Sequence, residues 1–523
     1  MILLSGVHQA LDFESFSCRA TAAQNRTPSQ TQLGRQRRVS EVVITVFGFT
    51  HVLFLVALMA SDAFAQSPYQ FKPSGRDDAA ALRAALIAYR WVQINGTDIR
   101  IDTPINLETD DGVPLHNILV EPAPGINRTT IHTAIVQDTN RPLADRSPFN
   151  YNGGYEPGSF LTAAVPAGVT SITVRDPELL VWWVTSNDVR RLRPFQVGDY
   201  ICLNDTSRVP NLTVGYAKDV QDGATEVRQI LAIEPSRSPG EVRLYLESRL
   251  RRPHQATVTV AHCKPLRNVV FRNLRFTSDN NSGPRIGIHM HLAFNAEISN
   301  VSSVNWRGAS LILIDNGGRN NIIKDCYATG VNSPGDQPNV WGIAVEGQEG
   351  TRIINCGAER YNLGIFINYS VDTFAVNSSV KDCTYVGLSV SSDIEGNPSI
   401  NSGFIGGRVL GGGFGAYVGT NCVDCVVDVS IERPYWGIKV GLGTYNTRVL
   451  GSILGASQYG VGIDSIDGGA GDGAVSSRGT LLNATASCTN TKLVLLKGTQ
   501  LSPHAPSELD SYYKLGPLFY SCP

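Results

Sequence analysis

The stretch Asn362-Leu363-Gly364-Ile365-Phe366-Ile367 decides the fold, because close variants of it return along the chain at a nearly constant step. Each variant is a turn, then a glycine, then a short alternating run. The variants are Val340-Trp341-Gly342-Ile343-Ala344-Val345, Tyr385-Val386-Gly387-Leu388-Ser389-Val390, Phe414-Gly415-Ala416-Tyr417-Val418 and Tyr435-Trp436-Gly437-Ile438-Lys439-Val440. Their glycines, continued to Gly460, are spaced by 22, 23, 28, 22 and 23 residues. Such a period is typical of a solenoid, in which each unit buries its apolar face only against its neighbours.

Second strands lie between the repeats, at residues 351–354, 373–376, 425–427 and 447–450. Two or three short strands per turn, with Gly and Asn at the bends and no helix between them, predict an all-β fold, a right-handed parallel β-helix. Gly287 and Gly308 extend the series backwards, and the step of 34 residues from Gly308 to Gly342 indicates a loop at 331–336. A β-sandwich is the alternative, but it has no reason to repeat a glycine at a constant step.

The charge balance says little in favour of a polyanionic partner. The chain of 523 residues has 46 acidic and 44 basic residues, and only 17% of its residues are charged. A nucleic-acid-binding or acidic-membrane-binding protein usually carries a clear basic excess. We therefore expect neither nucleic acid nor a membrane surface as the partner.

Residues 35–66 are typical of an export signal. Arg35, Arg37 and Arg38 precede an apolar run at 42–59, which ends in the small-x-small pattern Ala63-Phe64-Ala65. This order predicts cleavage after Ala65 and a secreted or periplasmic protein that leaves the membrane after cleavage. A single transmembrane anchor is the alternative, because the run is near spanning length. A signal normally begins a chain, so residues 1–34 are interpreted as a mis-assigned start.

The segment that follows the signal carries a resemblance to a known superfamily. Phe71-Lys72-Pro73-Ser74-Gly75-Arg76-Asp77-Asp78 leads into an amphipathic run at 79–89, and short strand candidates follow at 91–107. This order resembles the N-terminal end of pectate-lyase-like β-helix proteins, which include phage tailspikes and secreted polysaccharide-degrading enzymes. The resemblance implies a capping helix that covers the open end of the solenoid, where apolar core and strand edges would otherwise be exposed. Asp77 and Asp78 are interpreted as helix caps rather than catalytic groups.

The remaining chain divides by pattern into four parts. Residues 66–144 hold the cap and first coils, and residues 145–267 break the period with hairpin-spaced strands that predict a small antiparallel β insertion. Residues 268–468 hold the regular coils, and residues 469–523 follow a Gly-rich link and are predicted to close the solenoid.

Cysteine spacing suggests two disulfides in an oxidising compartment. The candidate pairs are Cys202 with Cys263 around the insertion and Cys488 with Cys522 in the tail. Cys326, Cys356 and Cys383 recur with the coils and are predicted to be small apolar core residues. The Cys422-x-x-Cys425 pair lacks both a helix N-terminus for redox activity and enough ligands for structural zinc.

Candidate site residues come from the strand alternation. Counted from the repeat glycine, positions one and three are apolar and are predicted to face inward, so positions two and four face outward. This count puts His289, Ser310, Ala344, Phe366, Ser389, Tyr417 and Lys439 in one outward row, and His291, Ile312, Glu346, Asn368 and Ser391 in the other. Further candidates lie just beyond the strands or in the preceding turns: Asp315, Tyr369, Asp393, Arg285, Arg307, Arg360, Trp306 and Tyr361.

A long groove with aromatic and charged side chains suits a linear acidic polysaccharide. Eliminative cleavage of a uronate would use His289 or His291 as base, Tyr369 as acid, and Asn368, Arg360 or a calcium ion to neutralise the sugar carboxylate. Hydrolysis would use paired carboxylates, Glu346 with Asp315 or Asp393.

Three functions therefore stay open. A polysaccharide lyase is favoured over a glycoside hydrolase, and a non-catalytic glycan-binding or surface-structural protein is the third hypothesis. The sequence lacks the Asn-Thr-Asp, Asp-Asp and Gly-His-Gly series of polygalacturonase-like hydrolases and the Asp-Pro-His-Asp motif of alginate epimerases. The resemblance is therefore specific for the fold and not for the reaction.

Overall fold

The computed structural model describes residues 67–135, 147–185, 188–204, 224–256, 258–279, 286–331, 341–392, 398–419, 422–441, 444–464, 479–487, 489, 491–497, 500–503 and 513–515. The predicted signal and the Cys488–Cys522 pair lie outside these residues. Within the described residues, no helix is long and apolar enough to cross a membrane.

The described residues of the first part, 67–135 and 147–151, form one helix and seven short strands. They are β1 (Tyr69–Phe71), α1 (Ala79–Tyr89), β2 (Trp91–Ile94), β3 (Asp98–Arg100), β4 (Ile105–Asn106), β5 (Ile118–Pro122), β6 (Thr129–Thr133) and β7 (Phe149–Tyr151). The next eight strands and a single 3-10 turn form the insertion. They are β8 (Gly154–Phe160), β9 (Ser171–Arg175), the 3-10 turn (Pro177–Leu179), β10 (Val181–Thr185), β11 (Asp188–Arg191), β12 (Tyr200–Asn204), β13 (Ala224–Pro235), β14 (Glu241–Leu246) and β15 (Thr259–Lys264).

The regular coils supply the remaining strands. The first set is β16 (Leu266–Arg267), β17 (Val269–Arg272), β18 (Leu274–Ser278), β19 (Ile286–His291), β20 (Ala293–Phe294), β21 (Glu297–Ser299), β22 (Ser302–Ser303), β23 (Ser310–Asp315), β24 (Ile322–Lys324), β25 (Tyr327–Thr329), β26 (Trp341–Glu346), β27 (Arg352–Ile354), β28 (Gly357–Glu359), β29 (Leu363–Asn368), β30 (Phe374–Val376), β31 (Ser379–Lys381) and β32 (Val386–Ser391). The second set is β33 (Ser399–Ile400), β34 (Gly403–Leu410), β35 (Phe414–Val418), β36 (Cys422–Val423), β37 (Val426–Glu432), β38 (Trp436–Val440), β39 (Arg448–Leu454), β40 (Tyr459–Asp464), β41 (Thr480–Ser487), β42 (Thr491–Lys497), β43 (Gln500–Pro503) and β44 (Tyr513–Leu515).

These strands stack in parallel ladders, which confirms the predicted β-helix. One ladder runs through β17, β21, β24, β27 and β30, and a second runs through β18, β22, β25, β28 and β31. Both ladders merge at β34, which pairs with β30 and with β31. The third ladder runs in the order β4, β7, β19, β23, β26, β29, β32, β35, β38, β40, β42 and carries the repeat glycines.

Asparagine and aspartate form the corner that precedes the first ladder. Each coil places one residue there with a positive φ, which Asn and Asp tolerate better than other residues with side chains. Asn295 in this corner donates from its amide to Asn268 of the previous coil at 3.3 Å. The corner residues are Asn117 (φ 56), Asn268 (φ 56), Asn295 (φ 54), Asn320 (φ 55), Asp372 (φ 50), Asn401 (φ 45), Asp424 (φ 54) and Asn446 (φ 51), and before β27 a glycine, Gly350 (φ 73), takes this place.

The interior is apolar, as the alternation predicts. Ile343, Val345, Ile365 and Ile367 are all 0% exposed and belong to one continuous core. The helix α1 closes the N-terminal end, because Leu82 and Leu86 are buried in the same core. Asp77 accepts a hydrogen bond from the Ala79 N–H at 3.2 Å, which confirms its predicted capping role. The Asp78 side chain accepts from the Ser74 N–H instead and makes no hydrogen bond to the helix.

The insertion forms a six-stranded antiparallel sheet in the order β8, β15, β12, β13, β14, β9. It has its own apolar core, which includes Leu161, Ile201 and Leu244. A second apolar cluster joins it to the solenoid, and there Cys263 and Tyr155 of the insertion pack with Leu292 next to the third ladder. The insertion therefore lies against the coil that contains β19.

The described cysteines are all free and buried. Cys202 and Cys263 lie on neighbouring strands β12 and β15, but the predicted disulfide between them is not formed. Cys326, Cys356 and Cys383 stack inside the core, as predicted. Burial raises the pKa of the Cys383 thiol to about 12, so this residue is an inert apolar filler.

Candidate functional site

The strand register of the third ladder fixes which side chains share its outward face. His289 pairs with Leu313 and His291 pairs with Asp315 on the next strand. Two strands further on, Glu346 pairs with Asn368, which in turn pairs with Ser391. Since Val345 pairs with Ile314, the row at the end of these strands runs His291, Asp315, Glu346, Asn368, Ser391.

This register corrects one part of the sequence count. Ile312 pairs with Ile343, so Leu311, and not Gly308, takes the repeat glycine's place in that coil. The outward positions are therefore Leu313 and Asp315 instead of the predicted Ser310 and Ile312. Asp315 thus belongs to the row itself, on the strand next to His291, rather than just beyond it.

The two histidines and Asp315 form a buried cluster. Nδ1 of His291 lies 2.5 Å from Oδ1 of Asp315, and Nε2 of His289 lies 3.4 Å from Oδ2 of the same carboxylate. The imidazole rings are 4.4 Å apart and inclined at 65°. His289 is fully buried, whereas 9% of His291 and 8% of Asp315 remain exposed, so these two residues are the part of the cluster that a ligand can reach.

The electrostatics of the cluster keep Asp315 ionised. Burial by itself raises the pKa of this carboxyl group, but the charges of His291 and His289 and their hydrogen bonds outweigh burial and hold the pKa well below its usual range. An ionised carboxylate against imidazole orients the ring and stabilises its protonated form. Asp315 therefore holds the His291 ring in a fixed orientation.

Two residues that the sequence analysis did not identify complete this end of the site. The Asn316 side-chain amide lies 2.6 Å from Nδ1 of His291. The Tyr155 hydroxyl, from the insertion, donates to the Asn316 carbonyl at 3.2 Å. Burial, together with nearby Cys202, Cys263 and Asp315, raises the pKa of Tyr155 well above its usual value, so its hydroxyl stays protonated. The insertion thus supplies one wall of the site.

Glu346 and Tyr369 lie at the next coils. The Tyr369 hydroxyl donates to Oε2 of Glu346 at 3.4 Å, and only 4% of Tyr369 is exposed. Tyr369 has a φ of 30°, and its carbonyl accepts a hydrogen bond from the guanidinium of Arg252 in the insertion. Arg252 is itself fully buried, so this contact fixes the backbone that carries the phenol.

The structure separates the other candidates from this row. Trp306 and Tyr361 lie in the main core and are 0% and 1% exposed. The prediction that they stack on a sugar is therefore wrong. Arg360 occupies a corner with a φ of 62°, and its Nε lies 3.6 Å from Glu359 of the second ladder rather than over the site. These three predictions are wrong for the same reason: each residue lies in the corner between a strand of the second ladder and the next strand of the third.

Six substrate-binding candidates remain, and four of them lie among the described residues. Arg307 is half-buried, and its backbone N–H donates to Ser278. Tyr417 and Lys439 lie on the outward face of the third ladder, several coils beyond the histidines, and pair with each other. Asn368 is in the row, whereas Arg285 and Asp393 lie outside the described residues.

The same cluster could also hold a metal ion. One donor atom from each of His289, His291 and Asp315 lies within 4.8 Å of the others. Two imidazoles and one carboxylate suit zinc or another transition metal, whereas calcium prefers six to eight oxygen ligands. The donor set therefore does not fit the calcium ion considered from the sequence.

No protein-family model matches the chain, and no curated protein matches its sequence. Among solved structures, the mannuronan C-5 epimerase AlgE6 A-module from Azotobacter vinelandii is 12% identical, with 87% of this chain and 100% of that chain covered and a TM-score of 0.43. The adhesin PfbA from Streptococcus pneumoniae is 11% identical, with 84% and 96% covered and a TM-score of 0.40. The tailspike gp49 from Pseudomonas phage LKA1 is 13% identical, with 80% and 71% covered and a TM-score of 0.36. The parallel β-helix of this chain is established by its own strand ladders.

Proposed function

We propose that this protein cleaves an acidic polysaccharide by elimination, with His291 as the general base. The observation that carries the proposal is the direct contact of 2.5 Å between His291 and ionised Asp315, in a row that continues to Glu346. His291 is the first residue of this outward-facing row and is held by a buried carboxylate. Such a base suits the removal of a carbon-bound proton next to a sugar carboxylate. The long, regular face of the solenoid suits a linear polymer.

Residues of this chain can supply both proton transfers of the elimination. His291 takes the proton at C5 of a uronate unit, and the electron pair of that C–H bond forms a double bond between C4 and C5. The C4–O bond breaks, and the leaving oxygen takes a proton from the Tyr369 hydroxyl, which Glu346 holds at 3.4 Å. Asp315 stabilises the imidazolium, and the Asn368 amide, which lies in the same row, is the candidate donor to the sugar carboxylate.

Hydrolysis is the second candidate, and one observation favours it. Asp315 and Glu346 lie on neighbouring strands of the same row, which are about 4.8 Å apart. A retaining glycosidase uses carboxyl groups about 5 to 5.5 Å apart. Against this role, both carboxylate oxygens of Asp315 face imidazole nitrogens, so elimination is the function that the geometry supports best.

The test is an assay of alginate and polygalacturonate, in which ultraviolet absorbance reports the new double bond and reducing ends report any cleavage. For the lyase, both signals appear, and His291→Gln lowers the rate by about 10²- to 10⁴-fold. His132→Gln is the matched control, because His132 on β6 forms an exposed pair with Asp98 on the neighbouring strand β3. Reducing ends without the absorbance would replace elimination by hydrolysis, and tight binding without cleavage would favour the non-catalytic function.

We also infer that the protein is exported. The inference rests on Arg35, Arg37 and Arg38, the apolar run at 42–59 and the cleavage pattern that ends at Ala65. Sequencing the N-terminus of the protein recovered from the extracellular or periplasmic fraction tests it, and we expect Gln66 as the first residue. An intact N-terminus in a membrane fraction would favour the anchor instead.

A further inference from the structure

An aromatic cluster covers the outward face of the third ladder in later coils. It consists of Phe414, Tyr435, Trp436 and Tyr459. The ring of Trp436 lies 4.3 Å from that of Phe414, 5.0 Å from that of Tyr435 and 5.8 Å from that of Tyr459, with which it is stacked at 14°. Phe414 and Tyr459 are buried, so they form a firm base under the indole, whereas Tyr435 is 47% exposed.

A hydrogen-bonded amide holds the two upper rings in place. The indole N–H of Trp436 donates to Oε1 of Gln458, and the amide of Gln458 donates to the Tyr435 hydroxyl. One side chain therefore fixes the orientation of both rings. Rings that are held before binding lose little conformational entropy when a ligand stacks on them.

The cluster also carries a positive charge. Nζ of Lys439 lies 5.6 Å from the centroid of Phe414 and 5.6 Å from that of Tyr417, within the range of a cation–π contact. Flat rings beside an ammonium group match the two features of a uronate sugar, which has an apolar ring face and a carboxylate.

The cluster lies on the same face as the candidate site. The strand of Trp436 is six steps along the third ladder from the strand of His291, and at about 4.8 Å per step the two are about 29 Å apart along the axis. An apolar strip joins them, because Leu363 packs both against the buried Phe366 near the site and against the cluster around Phe414. A linear polymer that lies along the solenoid axis would therefore contact both places.

We propose that the aromatic cluster is a second binding subsite, remote from the cleavage site, for the same acidic polysaccharide. The identity of the ligand rests on the proposed function, but the subsite does not need cleavage to be measured. It explains why the charge and the rings occur together on this face, and it makes the protein favour long chains over short oligosaccharides.

The experiment measures the affinity of the full protein for polymeric alginate and polygalacturonate, and for oligosaccharides of four sugars or fewer. We expect Trp436→Ala to weaken binding of the polymer about tenfold, as expected for the loss of a stacking contact. Short oligosaccharides that occupy only the cleavage site should bind and react unchanged. Tyr445→Ala is the matched control, because Tyr445 is 52% exposed at a corner outside the cluster.

If Trp436→Ala fails to fold, Tyr435→Ala gives the same measurement, because removing an exposed ring leaves the buried base of the cluster intact. Polymer binding that depends on Trp436 or Tyr435 without any cleavage would support the subsite and overturn the lyase. Cleavage of polymer with equal Michaelis constants for the wild type, the Trp436 or Tyr435 variant and the Tyr445 control would overturn the subsite and leave the lyase. Absence of binding to either polymer would overturn the subsite as well.

Discussion

Replacing Glu226 by glutamine should destabilise the protein strongly, because this carboxylate is the centre of a buried network in the insertion. Its oxygens accept hydrogen bonds from Nη2 of Arg228 at 2.6 Å, from the backbone N–H groups of Arg251 and Arg252 at 2.6 and 3.0 Å, and from Nε2 of His254 at 2.8 Å. Glu226 is 3% exposed, and Arg228 and His254 are at most 1% exposed. Glutamine keeps the volume but removes the charge.

The size of the expected destabilisation follows from the buried hydrogen-bond donors that glutamine leaves without an acceptor. Every partner of the carboxylate is a hydrogen-bond donor, so the NH₂ group of glutamine faces another donor. Breaking one side of a buried ion pair costs about 3–5 kcal/mol, and we expect a loss in this range in the free energy of unfolding. With a urea m-value of about 3 kcal/mol/M, the midpoint falls by about 1 M or more. Glu432→Gln should cost only about 0–1 kcal/mol, because its pair with Arg408 is exposed.

The loss in the free energy of unfolding caused by Glu226→Gln should depend on pH. Burial alone would raise the pKa of Glu226, but the hydrogen bond from His254 and the charges of Arg228 and His254 outweigh it and lower the pKa. The folded protein therefore binds this proton less tightly than the unfolded chain does. The wild-type advantage is complete above the unfolded pKa of about 4.3 and is lost as the pH falls through the lower folded-state pKa. Urea unfolding at pH 7 and pH 3 checks this, and equal differences at both pH values, or a loss below 1 kcal/mol at pH 7, would refute the reasoning.

Three further outcomes are expected. A Cβ atom at Gly437 would lie 2.0 Å from the Gly460 carbonyl oxygen. Gly437→Ala should therefore lower the free energy of unfolding, measured by thermal denaturation, by about 1–3 kcal/mol or more, as overpacking does. Asn321→Ala removes three buried hydrogen bonds that join successive coils and should cost about 1–3 kcal/mol in urea unfolding. Because Nδ1 of His291 contacts Asp315 directly, we expect the proposed lyase activity to persist in EDTA. Loss of activity that zinc restores would assign the cluster to metal binding.

The fold follows from the sequence because the same short pattern returns in most coils. Where a glycine starts a third-ladder strand, it leaves no room for a side chain: a Cβ at Gly364 would lie 2.5 Å from the Gly387 carbonyl oxygen. The alternation after it then fixes which residues face inward, such as Ile365 and Ile367. Both signals are local and repeat along the chain, so the sequence alone predicts them.

The wrong and missing predictions of site residues arise where the local repeat pattern ends. The count from Gly308 fails because Leu311 occupies the glycine position in that coil, and the sequence alone contains no sign of this three-residue shift. Tyr361 looks like an exposed turn residue, but it packs inward beside Gly342, where the missing side chain makes space for it. Tyr155 reaches Asn316 across 161 residues, and no spacing rule within the coils predicts a contact from the insertion.

The position of the site follows from these irregularities. A regular solenoid presents similar rows on every coil, so regularity alone gives no reason for chemistry at one place. The row becomes distinct where the repeat is broken, at the coil in which Leu311 replaces the glycine. This coil follows the one whose Leu292 packs against the insertion. Tyr155 lies beside Asn316 in the same coil, and Arg252 lies beside Tyr369 two strands further along the ladder; both residues come from the insertion or its flanking loop. Local departures from an otherwise consistent pattern are where function is expected, and in this chain they coincide with its only His–His–Asp cluster among the described residues.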